Sequence, residues 1–202
     1  MKTILKTFTI LPVFLISTIQ AQTLKTDSTY VRFFSEAPLE NIEADNKLSK
    51  GIINLEKKEI AFVVPIKGFH FEKALMEEHF NENYMESDKY PLATFKGSFD
   101  NLPELKQGVA VEVVFKGKLT IHGVEKDREI PAKLTLLPGG QIIGETKFMV
   151  KTADHNIEIP KLVVKNIAEE IEVTVKAYFS KKRFCFIVKC KSVYSQITYR
   201  NL

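Results

Sequence analysis

Four histidines and two cysteines are the residues of this 202-residue chain best suited to chemistry, and their spacing keeps them apart. His70, His79, His122 and His155 each fall in a different segment, none at i, i+4 from another, so the linear signal for zinc or haem is weak. Cys185 and Cys190 sit near the C-terminus, where a zinc site would want two further ligands nearby. No Gly-x-Ser-x-Gly elbow is present, and no cysteine nucleophile precedes residue 185. Glu77 and Glu78 are paired carboxylates by sequence, yet neighbouring helical positions point about 100° apart and cannot converge on one bond. They read as a solvated helix face. Gly139-Gly140 lacks the Lys-Ser/Thr of a phosphate-binding loop and reads as a turn. His122, just before Gly123, reads as a turn-fixing residue, and His79 as a hydrogen-bonded structural imidazole. No enzymatic activity is expected.

The elements that would hold these residues are mostly strands. Val109, Val111, Val113, Phe115, Leu119 and Ile121 share one parity, with Gly117 among them, while Glu112, Lys116, Lys118 and Thr120 take the other. That is a strand with one wet face. The same period recurs through Ile130 to Leu136, Ile142 to Val150 and Ile171 to Phe179. Pro138-Gly139-Gly140 joins two of these runs into a hairpin. Upstream, Thr29 to Phe34, Lys50 to Leu55, Ile60 to Lys67 and Thr94 to Asn101 read as further strands, with Lys57-Lys58 as a turn. The total is about eight, the number at which a closed barrel just holds one small ligand. Phe71 to Tyr84 breaks the alternation: Phe71, Leu75, Met76, His79 and Phe80 fall at helical spacing and predict an amphipathic helix over one end of the barrel.

The two ends differ from the body. Lys2 and Lys6, an apolar run from Phe8 to Ile16 and the small-residue stretch ending at Ala21 predict a secretory signal over 1–21 and a periplasmic or secreted product beginning at Gln22. The formal charge of +4 comes from the ends: two lysines before Gln22 and six basic residues after Ser180 leave −4 on 22–180. A mildly acidic body argues against nucleic acid or an anionic membrane as partner. Residues 181–202, basic and holding both cysteines, are expected to be a poorly ordered appendage dispensable for folding.

Two ordered blocks resemble the YceI-like family of secreted β-barrels. The first is Glu78-His79-Phe80, Lys89-Tyr90-Pro91 and Thr94-Phe95; the second is Gly117-Lys118-Leu119-Thr120-Ile121-His122-Gly123-Val124-Glu125-Lys126. The chain departs from the pattern where Glu78-His79-Phe80 replaces Asp-His-Leu and Tyr84-Met85 replaces a Phe-Phe pair. The resemblance runs from about Asp27 to Phe179. It implies an all-β, antiparallel lipocalin-like barrel of about eight strands, with the helix capping one end, over residues 22–180. It also implies an apolar tunnel for a polyisoprenoid or quinone-like lipid, without a resident cofactor or stable membrane insertion. Aromatic residues in nearly every element would serve a packed or a hollow barrel alike, and it is the resemblance that implies the hollow one.

On that basis the candidate cavity residues are Phe62 and Val64; Phe71, Leu75 and Phe80 of the helical block; Phe95 and Phe99; and Val113, Phe115 and Leu119. Ile142, Gly144, Thr146 and Phe148 join them, with Val173 and Val175 of the last strand. The small residues Gly97, Gly117, Gly144 and Thr146 either leave room inside or ease strand bending. Two competing readings remain: an envelope stress or structural protein with a filled barrel, and a hydrolase with His79 or His122 in a polar cleft. Oligomeric state is open, a homodimer included.

Overall fold

A computed structural model describes residues 23–36, 41–159 and 169–181. The expected signal segment and the tail beyond Lys181 lie outside these residues. Ten antiparallel strands form one sheet: β1 (Thr23–Ser35), β2 (Ile42–Asn46), β3 (Lys50–Asn54), β4 (Glu59–Pro65), β5 (Phe69–Phe71), β6 (Leu92–Ser98), β7 (Ala110–Ile121), β8 (Val124–Leu136), β9 (Ile142–Lys151) and β10 (Glu170–Lys181). Neighbours run β10-β9-β8-β7-β6-β4-β3-β1, and β1 pairs again with β10. The sheet thus closes into the expected eight-stranded barrel and has no free edge along this circuit.

The two extra strands continue barrel strands past a break. β2 and β3 pair with the same edge of β1 in one register, Val31 opposite Asn46 and Leu24 opposite Ile53. Likewise β4 passes through a 3-10 turn, Ile66–Gly68, into β5, which pairs with β2. Asn46 holds the break together. Its amide donates to the carbonyl of Pro65 at 2.7 Å, while its Oδ1 accepts from Leu48 N at 2.8 Å and Ser49 Oγ at 3.1 Å. Both Asn46 and Ser49 are fully buried, so this network is where the local chain satisfies its polar groups.

Neither β2 nor β5 follows from the alternation. Ile42-Glu43-Ala44-Asp45-Asn46 is rich in residues that strands avoid, and β5 is only three residues long. Phe71, expected in the helix, instead ends β5. The α-helix proper, α1 (Ala74–His79), passes directly into a π turn, Phe80–Tyr84.

Turns match their sequence signals. His122 and Gly123 form a two-residue hairpin loop between β7 and β8 with φ of 51° and 73°, the left-handed pair such a loop requires. A side chain on Gly123 would also strike the Tyr90 ring, 2.6 Å from a Cβ placed there. Gly97 and Gly117 face each other across β6 and β7. A Cβ on Gly117 would lie 2.2 Å from the carbonyl oxygen of Lys96, so these glycines permit close backbone approach and bending. Outside, Lys147–Glu172 (2.9 Å), Lys176–Glu145 (3.1 Å) and Lys151–Glu170 (3.3 Å) bridge β9 and β10. Such exposed pairs contribute ~0–1 kcal/mol each, and the apolar interior decides stability.

Candidate functional site

The barrel encloses a cavity of about 660 Å³ lined almost wholly by apolar side chains. Register explains how alternation builds it. Phe33 stands opposite Val173, which stands opposite Phe148; one layer down, Val31, Val175, Thr146 and Ala132 follow one another around β1, β10, β9 and β8. Because successive residues alternate faces, each such row is a ring of the wall.

Twelve of the sixteen candidates line this cavity: Phe62 and Val64 from β4; Phe71, Phe80 and Phe95; Phe115 and Leu119 from β7; Gly144, Thr146 and Phe148 from β9; and Val173 and Val175 from β10. Four do not. Phe99, Val113 and Ile142 are buried but pack below the cavity, at the end where β1 begins and β10 finishes. There Phe99 meets Phe115 edge-on, 5.7 Å between centroids at 89°. Leu75 is 61% exposed on the outer side of α1, because the apolar face of that helix runs through Met76, His79 and Phe80 instead.

The opposite, upper end is closed by aromatic rings. Phe80 stacks on Phe33 at 5.3 Å and 20° and meets Phe69 and Phe71 at 5.6 and 5.1 Å. Phe33 in turn contacts Phe69 and Phe71 edge-on at 5.3 and 5.5 Å. Glu77 ties the helix to the sheet, accepting from Phe71 N at 3.2 Å, while Asn81 Nδ2 donates back to the Glu77 carbonyl at 2.8 Å. Glu77 is thus occupied in structure and does not pair with Glu78. Met76, His79 and Tyr84 complete the upper wall. Sequence reasoning did not select Phe33, Phe69, Met76 or Tyr84 as wall residues. Phe33 was accessible from its parity with Val31, whereas Tyr84 reaches the cavity through a π turn that no periodicity announces.

Two other histidines, His122 and His155, form a clasp outside the cavity, while His70 is exposed on β5 with its Nδ1 3.6 Å from Glu77 Oε2. His122 Nε2 donates to Glu86 Oε2 at 2.9 Å, its Nδ1 meets the carbonyl oxygen of His155 at 3.2 Å, and Tyr90 packs edge-on at 4.4 Å. His155 is almost fully buried, in the 3-10 turn Thr152–His155, and its Nδ1 lies 3.1 Å from the carbonyl oxygen of Val124. Burial holds its pKa below the ordinary 6.5; Arg128 adds to this, and the Val124 hydrogen bond and Asp154 oppose it. Among the described residues no three His, Cys, Asp or Glu side chains are placed to hold a metal, and no helix is long and apolar enough to cross a membrane.

Comparison with known proteins gives a consistent frame. A sequence profile of the YceI-like domain matches residues 22–179. Among curated proteins no match is found. Solved structures share the fold, among them the following three. A polyisoprenoid-binding domain from Saccharophagus degradans, implicated in plant cell wall breakdown, is 16% identical with a TM-score of 0.70, over 79% of this chain and 98% of its own. BcnA of Burkholderia cenocepacia is 14% identical with a TM-score of 0.64, over 76% of this chain and 96% of its own. The YceI protein of Campylobacter jejuni is 17% identical with a TM-score of 0.59, over 73% and 90%.

Proposed function

Since this chain belongs to the YceI-like domain family, we propose that its barrel binds and sequesters or carries a long apolar molecule, an isoprenoid or similar lipid, in the periplasm. One observation carries the proposal. An apolar cavity of about 660 Å³ lies where a barrel without a ligand would be filled by its own side chains. A volume in the ~300–1,000 Å³ range is that of a small-molecule site. Affinity would come from burying apolar area, at about 25 cal/mol per Å². The domain from Saccharophagus degradans, named for polyisoprenoid binding, supports the choice of ligand class. No chemical step is part of this reading, in which Glu77, His122 and His155 serve structure.

The test is uptake of a fluorescent prenyl-chain probe by the wild-type chain and by Val175→Phe, which puts a ring into the middle of the cavity. The expected result is saturable binding by the wild type and none by the variant, with an unfolding midpoint nearly unchanged. A filled core would lose about 1–3 kcal/mol on such overpacking. Destabilisation of that size, without uptake by the wild type, would favour a filled barrel that acts through its surface.

A further inference from the structure

The charge of −4 on residues 22–180 averages two unlike sides of the barrel. On β8, β9 and β10 outward lysines have acidic partners: Lys133 with Glu112, Lys147 with Glu172, Lys151 with Glu170 and Lys176 with Glu145, at 3.8, 2.9, 3.3 and 3.1 Å. The side formed by β1, β3, β4 and β6 is different. Register sets Lys25, Ile52, Ala61, Lys96 and Lys118 in one row, with Lys50 and Val63 in the row above. Their chain neighbours Ile53, Phe62, Phe95 and Leu119 line the cavity, so both rows look outward. Higher still, Pro65 stands opposite Leu92, and Leu48 lies beside Gly68 in the turn that follows Pro65. Ile52, Leu92 and Leu48 are 38%, 47% and 58% exposed. Lys25, Lys50 and Lys96 are exposed as well, and none of the three has an acidic partner among the described residues. Of the acids on this side, Glu125 is held by Lys118 at 2.5 Å and Asp88 by Lys67 at 2.6 Å, while Glu59 stands at the lower margin between Asn54 and Ser98.

Free cations and exposed hydrocarbon in one patch fit a partner that is anionic at its surface and apolar just beneath. The backbones of Lys25 and Lys96 are three strands apart, about 14 Å, with Ile52 and Ala61 between them, a spread too wide to be built around one small anion. A second copy docking by the same patch would set lysines against lysines. We propose that this side of the barrel is a docking face for an anionic lipid bilayer, with the lysines on lipid phosphates and Ile52, Leu48 and Leu92 among the upper acyl carbons. No strand inserts. The face revises the expectation drawn from net charge, because at ~0.1 M salt potentials fade over about 10 Å, so a membrane meets the patch and not the sum. It also reaches the cavity: Ile66, between Pro65 and Lys67, is buried and lines it. Docking would therefore hold the cavity against the surface in which apolar guests dissolve. That purpose rests on the reading of the cavity as a site for an apolar molecule, whereas the docking itself does not.

The experiment is co-sedimentation of the full chain with vesicles of phosphatidylglycerol and phosphatidylethanolamine, or of phosphatidylcholine alone. The basic residues after Ser180 are present in every sample, so the tail is not a variable. With each lysine giving roughly a fivefold gain at an anionic surface, wild-type protein should prefer the phosphatidylglycerol vesicles by on the order of a hundredfold, and salt of about 0.5 M should remove the preference. The triple variant Lys25→Gln, Lys50→Gln, Lys96→Gln should lose it. Lys133→Gln, Lys147→Gln, Lys176→Gln, which changes the net charge equally on the other side, should keep most of it. Ile52→Asn should weaken binding and leave the salt dependence as it is. A wild type that does not distinguish the two vesicles, or triple variants that sediment alike, would overturn the docking face; the second result would assign the binding to the tail or to overall charge. Prenyl-probe affinity in detergent should be the same for every variant, since none of the altered residues except Lys133, Lys147 and Lys176 lies on this side and none of the seven lines the cavity. Anionic-vesicle binding by a wild type that takes up no prenyl probe would overturn the guest reading and leave the docking face standing.

Discussion

His122 Nε2 donates to Glu86 Oε2 across 2.9 Å, joining positions 36 residues apart in sequence. Glu86 lies two residues past the π turn that carries Phe80 and Tyr84, and His122 is the first residue of the β7–β8 reversal. The two sequence blocks that mark this chain therefore meet in space. Their common task is to anchor the far end of the helical segment over the barrel.

Replacing His122 by asparagine separates the clasp from the turn. Asparagine tolerates the positive φ of this position, so the hairpin is kept while Glu86 and the His155 carbonyl lose their partner. The expected cost is about 1–2 kcal/mol in urea unfolding, since Glu86 is half exposed and water takes up part of its loss. Prenyl-probe affinity should stay the same, because His122 does not line the cavity.

His155 should make the barrel acid-sensitive. Its folded-state pKa lies below 6.5, the value the unfolded chain approaches. As pH falls through and below that value, the unfolded state takes up a proton that the folded state refuses, so stability drops; above it both states are neutral and this group adds no slope. His155→Asn keeps a donor for the Val124 carbonyl and removes the titration. The difference in thermal midpoint between wild type and variant, followed from neutral pH into the acid range, should therefore change in the variant's favour.

Asn46→Ala should be among the costliest single substitutions at the upper end. It strands the Pro65 carbonyl, Leu48 N and the Ser49 hydroxyl around a fully buried position, each a group whose desolvation costs about 1–3 kcal/mol when unpaired. A loss of about 3 kcal/mol or more by chemical denaturation is expected. Asn46→Asp, which keeps the acceptor and removes the donor, should fall short of the wild type as well.

Phe80→Ala opens the upper closure. The ring sits against Phe33, Phe69 and Phe71 and is only half buried, so stability should fall by about 2 kcal/mol while the dissociation rate of a prenyl probe rises. A variant with wild-type dissociation kinetics would show that the guest leaves by another route.

Strands with one wet face are legible because alternation survives in composition: β7, β8, β9 and β10 carry apolar residues on one parity and charges on the other, and their inward rows supply a large part of the cavity wall. The breaks were not legible. β2 is held by Asn46 and by the neighbouring strands, a tertiary effect that overrides its poor strand composition, and β5 is too short to display a period. Leu75 was placed inside because helical spacing alone defines a stripe and not its centre; the stripe turned by one position puts Met76 and His79 on the cavity. Phe99, Val113 and Ile142 share the inward parity with true wall residues, and only their height along the barrel puts them below the cavity.

The most direct test of the account is mass spectrometry of the protein purified from its own host, first under native conditions and then after organic extraction of the bound material. The account predicts a folded chain heavier than its polypeptide by one apolar guest, with a prenyl-type lipid recovered in near-equal molar amount. Polypeptide mass alone, an empty extract and no uptake of a prenyl probe by the same preparation would contradict it.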